Sequence, residues 1–420
     1  MFGVIDIAYR SLTNRALTAS LAVAAIAISV ALILSVDKIK RDTRTSFLQT
    51  ISGTDLIVGA RSGSVQLLLY SVFRMGNATN NVSWQSIEDI RERSTVDWLV
   101  PLSLGDSHRG FRVLGTSIDY FEHYQYGDDN TLELDEGDVF KDVFDAVIGS
   151  NVAKKLNYEL GSSIVIAHGT GAVGLVAHDD QPFTVSGILK PTGTPVDNTL
   201  HVSLEGIEAV HVDWQSGMKI PGAATEPDDI RTMDLNPKAV TAALVGLKSR
   251  ATVFKEQRAI NEYRDEPLLA ILPGVAMQEI WALVKVFENA LLVISLFVVL
   301  AGLVNLVSVL YAGLNERRRE MAILRASGAR PSYIFRLLCT ESALLSALGI
   351  VFGLLLHYLI MGIAAIWAQA QFGLDLSLGL PTDSDLLILA GIFVAGILVG
   401  TLPAMRAYRH SVADGMIQRL

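Results

Sequence analysis

The sequence predicts a helical membrane protein with four spanning helices and one large extracytoplasmic α+β domain. Three observations predict it. Half of the 420 residues are hydrophobic and only 18% are charged, against about 25% in a typical soluble domain. The apolar residues gather in four blocks rather than spreading along the chain. Six arginines fall between Asn315 and Arg336, in the gap between the second and third blocks. Lys and Arg resist translocation, so a basic loop between two spans marks the cytoplasmic face.

The blocks set the organisation. Residues 17–36 hold no charge, and residues 286–314, 337–367 and 386–405 form the other three runs. About 20 helical residues rise roughly 30 Å, enough to cross the hydrocarbon core. A cleaved signal peptide is the rival reading of the first run. Its length and the lack of a small-x-small site before Asp37 favour an uncleaved anchor. Arg10 and Arg15 precede the first run, Arg406, Arg409 and Arg419 follow the fourth, and 368–385 carries Asp375, Asp383 and Asp385 with no Lys or Arg. The charge bias then places both termini (1–16 and 406–420) and the loop 315–336 in the cytoplasm, with 37–285 and 368–385 outside.

Residues 37–285 hold 23 Lys/Arg against 34 Asp/Glu, a net of −11, while the rest of the chain is net +2. An acidic external segment argues against nucleic acid and against a grip on anionic head groups. Its pattern mixes strands and helices. Asp55–Val58 reads as a strand, Ser83 as the N-cap of a helix through Arg93, and Asp97–Leu104 and Phe111–Gly115 as strands turning at Gly105-Asp106-Ser107. Ser150 reads as the cap of a short helix ending before Gly161, followed by a strand at Ile164–Ala167. Phe183–Leu189 is a further strand, bounded by the turn cluster Pro191–Pro195. Ala243–Lys248, Thr252–Tyr263 and Leu268–Leu272 resemble a split β-α-β unit. The chain leaves and re-enters the membrane at 37 and 285, so 50–116 and 240–272 are expected to pair as a membrane-proximal α+β subdomain. Residues 117–239 would form a β-rich lobe inserted in it. Asp37–Thr50 and Gly274–Lys285 extend the first two spans as helical stalks.

Catalytic signals are weak. Gly169, Gly171 and Gly174 match GxGxxG, but the following residues read as a second strand and a turn, not as the helix a dinucleotide needs. No GxxxxGK[ST] occurs, so the chain carries no phosphate cradle of that kind. His201 and His211, near Asp197 and Asp213, are the best metal candidates, and scattered single residues are the better reading. Asn77 and Asn81 match a glycosylation pattern that is frequent by chance. Cys339, the only cysteine, falls in the third run and reads as a packing residue. No catalytic, cofactor or metal residue is expected.

The apolar runs say more. Gly349-x-x-x-Gly353 lies in the third and Gly396-x-x-x-Gly400 in the fourth, spacings that let helix backbones approach closely in lipid. The first run is alanine-rich in the same way. Glu341 lies about one and a half turns into the third run and is expected to pair with an arginine of the basic loop, since a carboxylate in a membrane needs a partner. His357 lies deeper. No chain of titratable groups supports ion-coupled transport.

One span, a large external segment, then three spans with Arg318, Glu320, Met321, Ile323, Leu324, Arg325, Ala326, Gly328 and Ala329 after the second resembles the MacB/FtsX (type VII) family of ABC transporter permeases. Thr340-Glu341, Gly349/Gly353, the opening Ala8 to Arg15 and the ending Gly400 to Arg409 carry the same resemblance. It implies a bacterial inner-membrane protein without enzymatic activity. A separate ABC ATPase, in two copies, would bind ATP and Mg and dock on a coupling element formed by Arg318, Arg319, Glu320, Met321, Leu324, Arg325, Gly328, Ala329 and Arg330. Phe2, Val4, Ile5, Ile7, Ala8 and Leu12 would form an amphipathic helix along the inner face. The resemblance also implies mechanotransmission, in which ATPase closure moves the periplasmic domain without carrying substrate through the bilayer. The permease would pair with a second copy or a paralogue. Export or extraction of a peptide, lipid-linked or small amphipathic substrate is expected, with a periplasmic or outer-membrane partner. The competing reading is a signalling or scaffold protein whose external domain senses a ligand.

Overall fold

The structure is a computed structural model that describes residues 2–168, 181–215, 218–219, 225–316, 329–372 and 378–409. It divides into a unit of residues 1–42, 285–366 and 376–420 and a unit of residues 43–284 with 367–375.

The first unit holds the spans. After a helix at Phe2–Thr13, four helices are long and apolar enough to cross a membrane: Ala16–Leu48, Pro273–Glu316, Pro331–Phe372 and Asp383–Arg409, hereafter spans 1 to 4. Span 3 opens at Pro331, inside the segment expected as loop, because a proline in the first turn gives up an N–H that has no intrahelical partner anyway. It also runs five residues past the expected end at 367. Span 1 is the hub. Its Ala22, Ile26, Val30 and Leu34 pack with Leu306 and Leu310 of span 2, Leu345 of span 3 and Leu389 and Ile392 of span 4. Half of its apolar stretch is buried, against 17% for span 2.

The second unit is built on one mixed sheet. Its main strands are β1 (Leu56–Ala60), β2 (Val96–His108), β3 (Phe111–Thr116), β4 (Leu134–Gly137), β5 (Asp145–Ile148), β6 (Phe183–Leu189), β7 (Thr199–Ser203), β8 (Ala242–Leu247) and β9 (Leu268–Ile271). They lie in the order β9-β1-β8-β2-β3-β7-β5-β6-β4. β1 runs antiparallel to both β8 and β9. Those two are therefore parallel with β1 between them, and the helix Val253–Asn261 connects them as a split β-α-β unit.

The inserted lobe expected at 117–239 is not separate. β7 pairs in parallel with β3 over Thr199–Ser203 and Arg112–Thr116, so the sheet has no free edge at the expected boundary. One core shares Ile57, Leu244 and Ile271 from the flanking segments with Tyr120, Val147 and Val196 from the insert.

Two local expectations also shift. β2 runs on to His108, and the turn falls at Arg109 and Gly110, with φ 47° and 88°. Two positive φ values suit the right-handed twist of a hairpin. The expected turn at Gly105–Ser107 instead holds a register shift between Leu104 and Ser107, a bulge within the strand. The helix Ser150–Leu156 is capped by Gly149, not Ser150. A Cβ on Gly149 would collide with the backbone at Val196 and Asp197. Ser83 does cap its helix, with its Oγ accepting from Ser86 N.

His201 on β7 is fully buried against Tyr120 and Phe121. Its Nδ1 lies 3.2 Å from Val147 O, which assigns the proton to Nδ1. Burial and the Arg74 charge push its pKa down to about 3. Between that value and the ordinary one near 6.5, the unfolded chain binds a proton that the folded chain refuses. Stability is therefore present above about pH 6.5 and drains away as pH falls. We expect His201→Phe to remove up to about 1.4 kcal/mol per pH unit from that slope. Melting the purified protein from pH 7 to pH 5 checks this, and an unchanged slope in the variant would contradict it.

Candidate functional site

Of the expected coupling residues, Arg318, Arg319, Glu320, Met321, Leu324, Arg325 and Gly328 lie outside the described residues, as does the Gly169–Gly174 motif. Ala329 and Arg330 are described. Arg330 is exposed, and its carbonyl accepts from Tyr333 N at 2.9 Å, closing the first turn of span 3.

The small residues seat the spans on one another. A Cβ on Gly349 would stand 2.6 Å from Ile26 Cβ, and one on Gly353 2.6 Å from Val30 Cβ and 2.9 Å from Ala27 O. These glycines form a notch in span 3 that receives two side chains of span 1. Gly396 and Gly400 of span 4 lie against Ser346 and Ser342 of span 3, and Ser342 Oγ donates to Gly396 O at 2.7 Å. A fifth contact escapes the sequence pattern. Gly302 of span 2 meets Ser29 of span 1, whose hydroxyl lies 2.8 Å from Ala25 O and 3.0 Å from Val298 O.

Glu341 is buried and lines a small cavity with Ser11, Arg15, Thr18 and Gly313. The arginine that the described residues place on this cavity is Arg15, ahead of span 1. The absent side chain at Gly313 leaves the space that the Arg15 guanidinium fills.

At the opposite end of the spans is a cluster that sequence reasoning read only as a stalk and an acidic loop. Arg41 of span 1 pairs with Asp37 and with Asp385 of span 4. Lys38 pairs with Asp42 at 3.1 Å, Lys40 lies 3.7 Å from Glu288 of span 2, and Ser35 Oγ is 2.9 Å from His357 Nδ1 of span 3. The signal that could have found it is the run Asp37 to Asp42, where charges of both signs begin the moment the apolar stretch ends. No group of three His, Cys, Asp or Glu side chains able to hold a metal occurs among the described residues.

Comparison with known proteins places these features. Residues 19–256, more than half of the chain, match the MacB-like periplasmic core domain. Residues 292–412, covering most of span 2 and all of spans 3 and 4, match the C-terminal domain of FtsX-like permeases. The chain belongs to the MacB/FtsX family of ABC transporter permeases. This permease is 24% identical over 313 residues to the lipoprotein-releasing system transmembrane protein LolC of Neisseria meningitidis, covering 70% of this chain and 69% of that protein. It is 24% identical over 433 residues to the macrolide export ATP-binding/permease protein MacB of Shewanella oneidensis, covering 98% of this chain. It spans 60% of that MacB's length. Among solved structures, the periplasmic region of MacB from Actinobacillus actinomycetemcomitans aligns with a TM-score of 0.34 at 13% identity, over 55% of this chain and 94% of that one. The permease is thus a multi-pass membrane protein with a large α+β domain inserted between its first two spans.

Proposed function

We propose that this permease couples ATP hydrolysis by a separate ABC ATPase to movement of its α+β domain on the far side of the inner membrane. The observation that carries this reading is the basic segment 315–336, set between two spans inside the FtsX-like match. Both termini and that segment face the cytoplasm on this reading, because the flanking arginines resist translocation. The arginines from Arg318 to Arg330 offer hydrogen-bond donors to the ATPase, and Met321 and Leu324 offer apolar contact. Gly328 suits the left-handed turn that ends a helix.

The ATPase acts in two copies, against this permease and a second copy or a paralogue. The substrate is amphipathic: a peptide, a lipid-linked protein or a small amphiphile. One relative is named for releasing lipoproteins and another for exporting macrolides. A pathway through the bilayer is not needed if the external domain acts on substrate already at the outer leaflet, handing it to a periplasmic or outer-membrane partner.

Pull-down of the permease from membranes is expected to bring an ABC ATPase with it. Arg325→Glu or Gly328→Pro should cut coupled transport by about tenfold, the size of one lost interaction of about 1.4 kcal/mol, while the permease stays folded. A permease that purifies without an ATPase, or that keeps full coupling in both variants, contradicts the reading.

A further inference from the structure

The charged cluster at the end of the spans opposite residues 315–336 does more than neutralise itself. Arg41 Nη2 lies 3.0 and 3.1 Å from the two carboxylate oxygens of Asp385, and Nη1 reaches Ser384 Oγ at 3.2 Å as well as Asp37. Asp385 is 8% exposed and is itself fixed. Its Oδ2 accepts from Thr382 N at 2.8 Å, and its own N–H lies 3.4 Å from Thr382 Oγ1. This reciprocal capping box ties the carboxylate to the first turn of span 4. Arg41 therefore binds span 1 to a rigid point on span 4, not to a free side chain.

Packing explains why such a tie matters. In mid-membrane, Gly349 and Gly353 receive Ile26 and Val30 in close apolar contact. At the Arg41 end that contact gives way to a cavity of about 200 Å³, lined by Leu34, Arg41, Leu354, His357, Tyr358 and Asp385 among others. Solid cores resist displacement, whereas a cavity leaves the surrounding helices room to shift. Here the apolar packing thins to Leu34 and its neighbours Leu354 and Leu389, and polar links join the spans beyond it: Arg41 to span 4, Ser35 with His357 to span 3, and the longer Lys40–Glu288 pair to span 2. Its cations, Lys38 and Arg41, are already paired with Asp42, Asp37 and Asp385, so the cluster serves as a joint rather than as an anion pocket.

We infer that Arg41 is a positioning residue, whose tie to Asp385 holds spans 1 and 4 as one body during the transport cycle. Span 3 begins beside the basic segment, and the helix of span 1 continues to Leu48. With span 4 bonded to span 3 through Ser342 Oγ and Gly396 O, the tie would pass displacement from spans 3 and 4 to span 1. This role rests on the coupled-movement reading above.

The test uses the full permease with its ATPase in nanodiscs, in a Cys339→Ala background. Spin labels go on the exposed positions Ile39 and Leu387, and in a second preparation on Phe254 and Leu387. Without the Arg41 changes, the 39–387 distance should stay single and narrow with and without ATP, while the 254–387 distance changes with ATP. Arg41→Gln and Asp385→Asn, the latter keeping an oxygen for the cap, should each broaden the 39–387 distribution. Each should also lower ATP-coupled movement by about tenfold with ATP hydrolysis within about twofold. The double variant should be no worse than either single one, and Arg41→Lys should recover part of the coupling. A merely structural role would instead lower hydrolysis and yield together. A narrow distance or full movement in Arg41→Gln overturns the inference. No ATP-dependent change at 254–387 in the parent overturns the functional reading, and this role with it.

Discussion

Gly353→Leu is expected to lower the denaturation midpoint of the detergent-solubilised permease far more than Gly362→Leu in the same span. The added Cβ alone would stand 2.6 Å from Val30 Cβ and 2.9 Å from Ala27 O. Neither atom can step aside, since one is the root of a side chain and the other is helix backbone. Span 1 must retreat, and it is the helix on which the other three pack. Overpacking a tight contact costs about 1–3 kcal/mol. Lipid gives no hydrophobic drive to restore the lost contact. The upper end of that range, about 3 kcal/mol, is the expected loss for leucine, with a smaller loss for alanine. Gly362 is the control: nothing lies within 4 Å of a Cβ there. Gly362→Leu should leave the midpoint unchanged, and equal effects at the two positions would contradict the notch.

Asp197→Ala should have an effect of similar size in the α+β unit. Asp197 is 3% exposed and holds the turn before β7. Thr192 N and Gly193 N each donate to it at 2.8 Å, and Thr192 Oγ1 donates at 2.9 Å. Burial pushes its pKa up, while these hydrogen bonds pull against that shift. Alanine leaves the two backbone donors without an acceptor, while the Thr192 hydroxyl still has Thr194 Oγ1 at 2.7 Å. A buried polar group left unpaired costs about 1–3 kcal/mol, so a total near 3 kcal/mol is expected even if water reaches part of the turn. Asp197→Asn keeps one acceptor oxygen and should cost about 1 kcal/mol. For a domain of this size, about 3 kcal/mol lowers the melting temperature by roughly 6–12 °C. A melting curve in which alanine and asparagine behave alike would show that the turn does not depend on the carboxylate.

The sequence discloses local features best, because periodicity and capping are written within a few residues of one another. The apolar runs locate the four long helices, Ser83 announces its cap, and the order strand, helix, strand near the end of the acidic segment reveals the split β-α-β unit. What escapes is non-local. The parallel pairing of β3 with β7 joins residues that are far apart along the chain, and no pattern at either strand names its partner. Reading 117–239 as a lobe of its own follows from that gap. Glycine spacing tells where a backbone can come close, but not that Gly353 meets Val30 or that Gly302 meets Ser29. The Arg41–Asp385 tie is hidden for the same reason. Each half is a plausible solvated charge at a helix end, and only the packing of span 1 against span 4 brings them within 3.0 Å.

Sidedness decides the account, since an ATP-driven partner can act only on what faces the cytosol. Single cysteines at Ala329 and at Asp128, each in a Cys339→Ala background, can be exposed to a membrane-impermeant maleimide that enters the periplasm. The account predicts that position 128 labels in intact cells and position 329 only after the inner membrane is opened. Labelling of position 329 in intact cells would place the basic segment on the wrong side for any ATPase and contradict the proposed coupling.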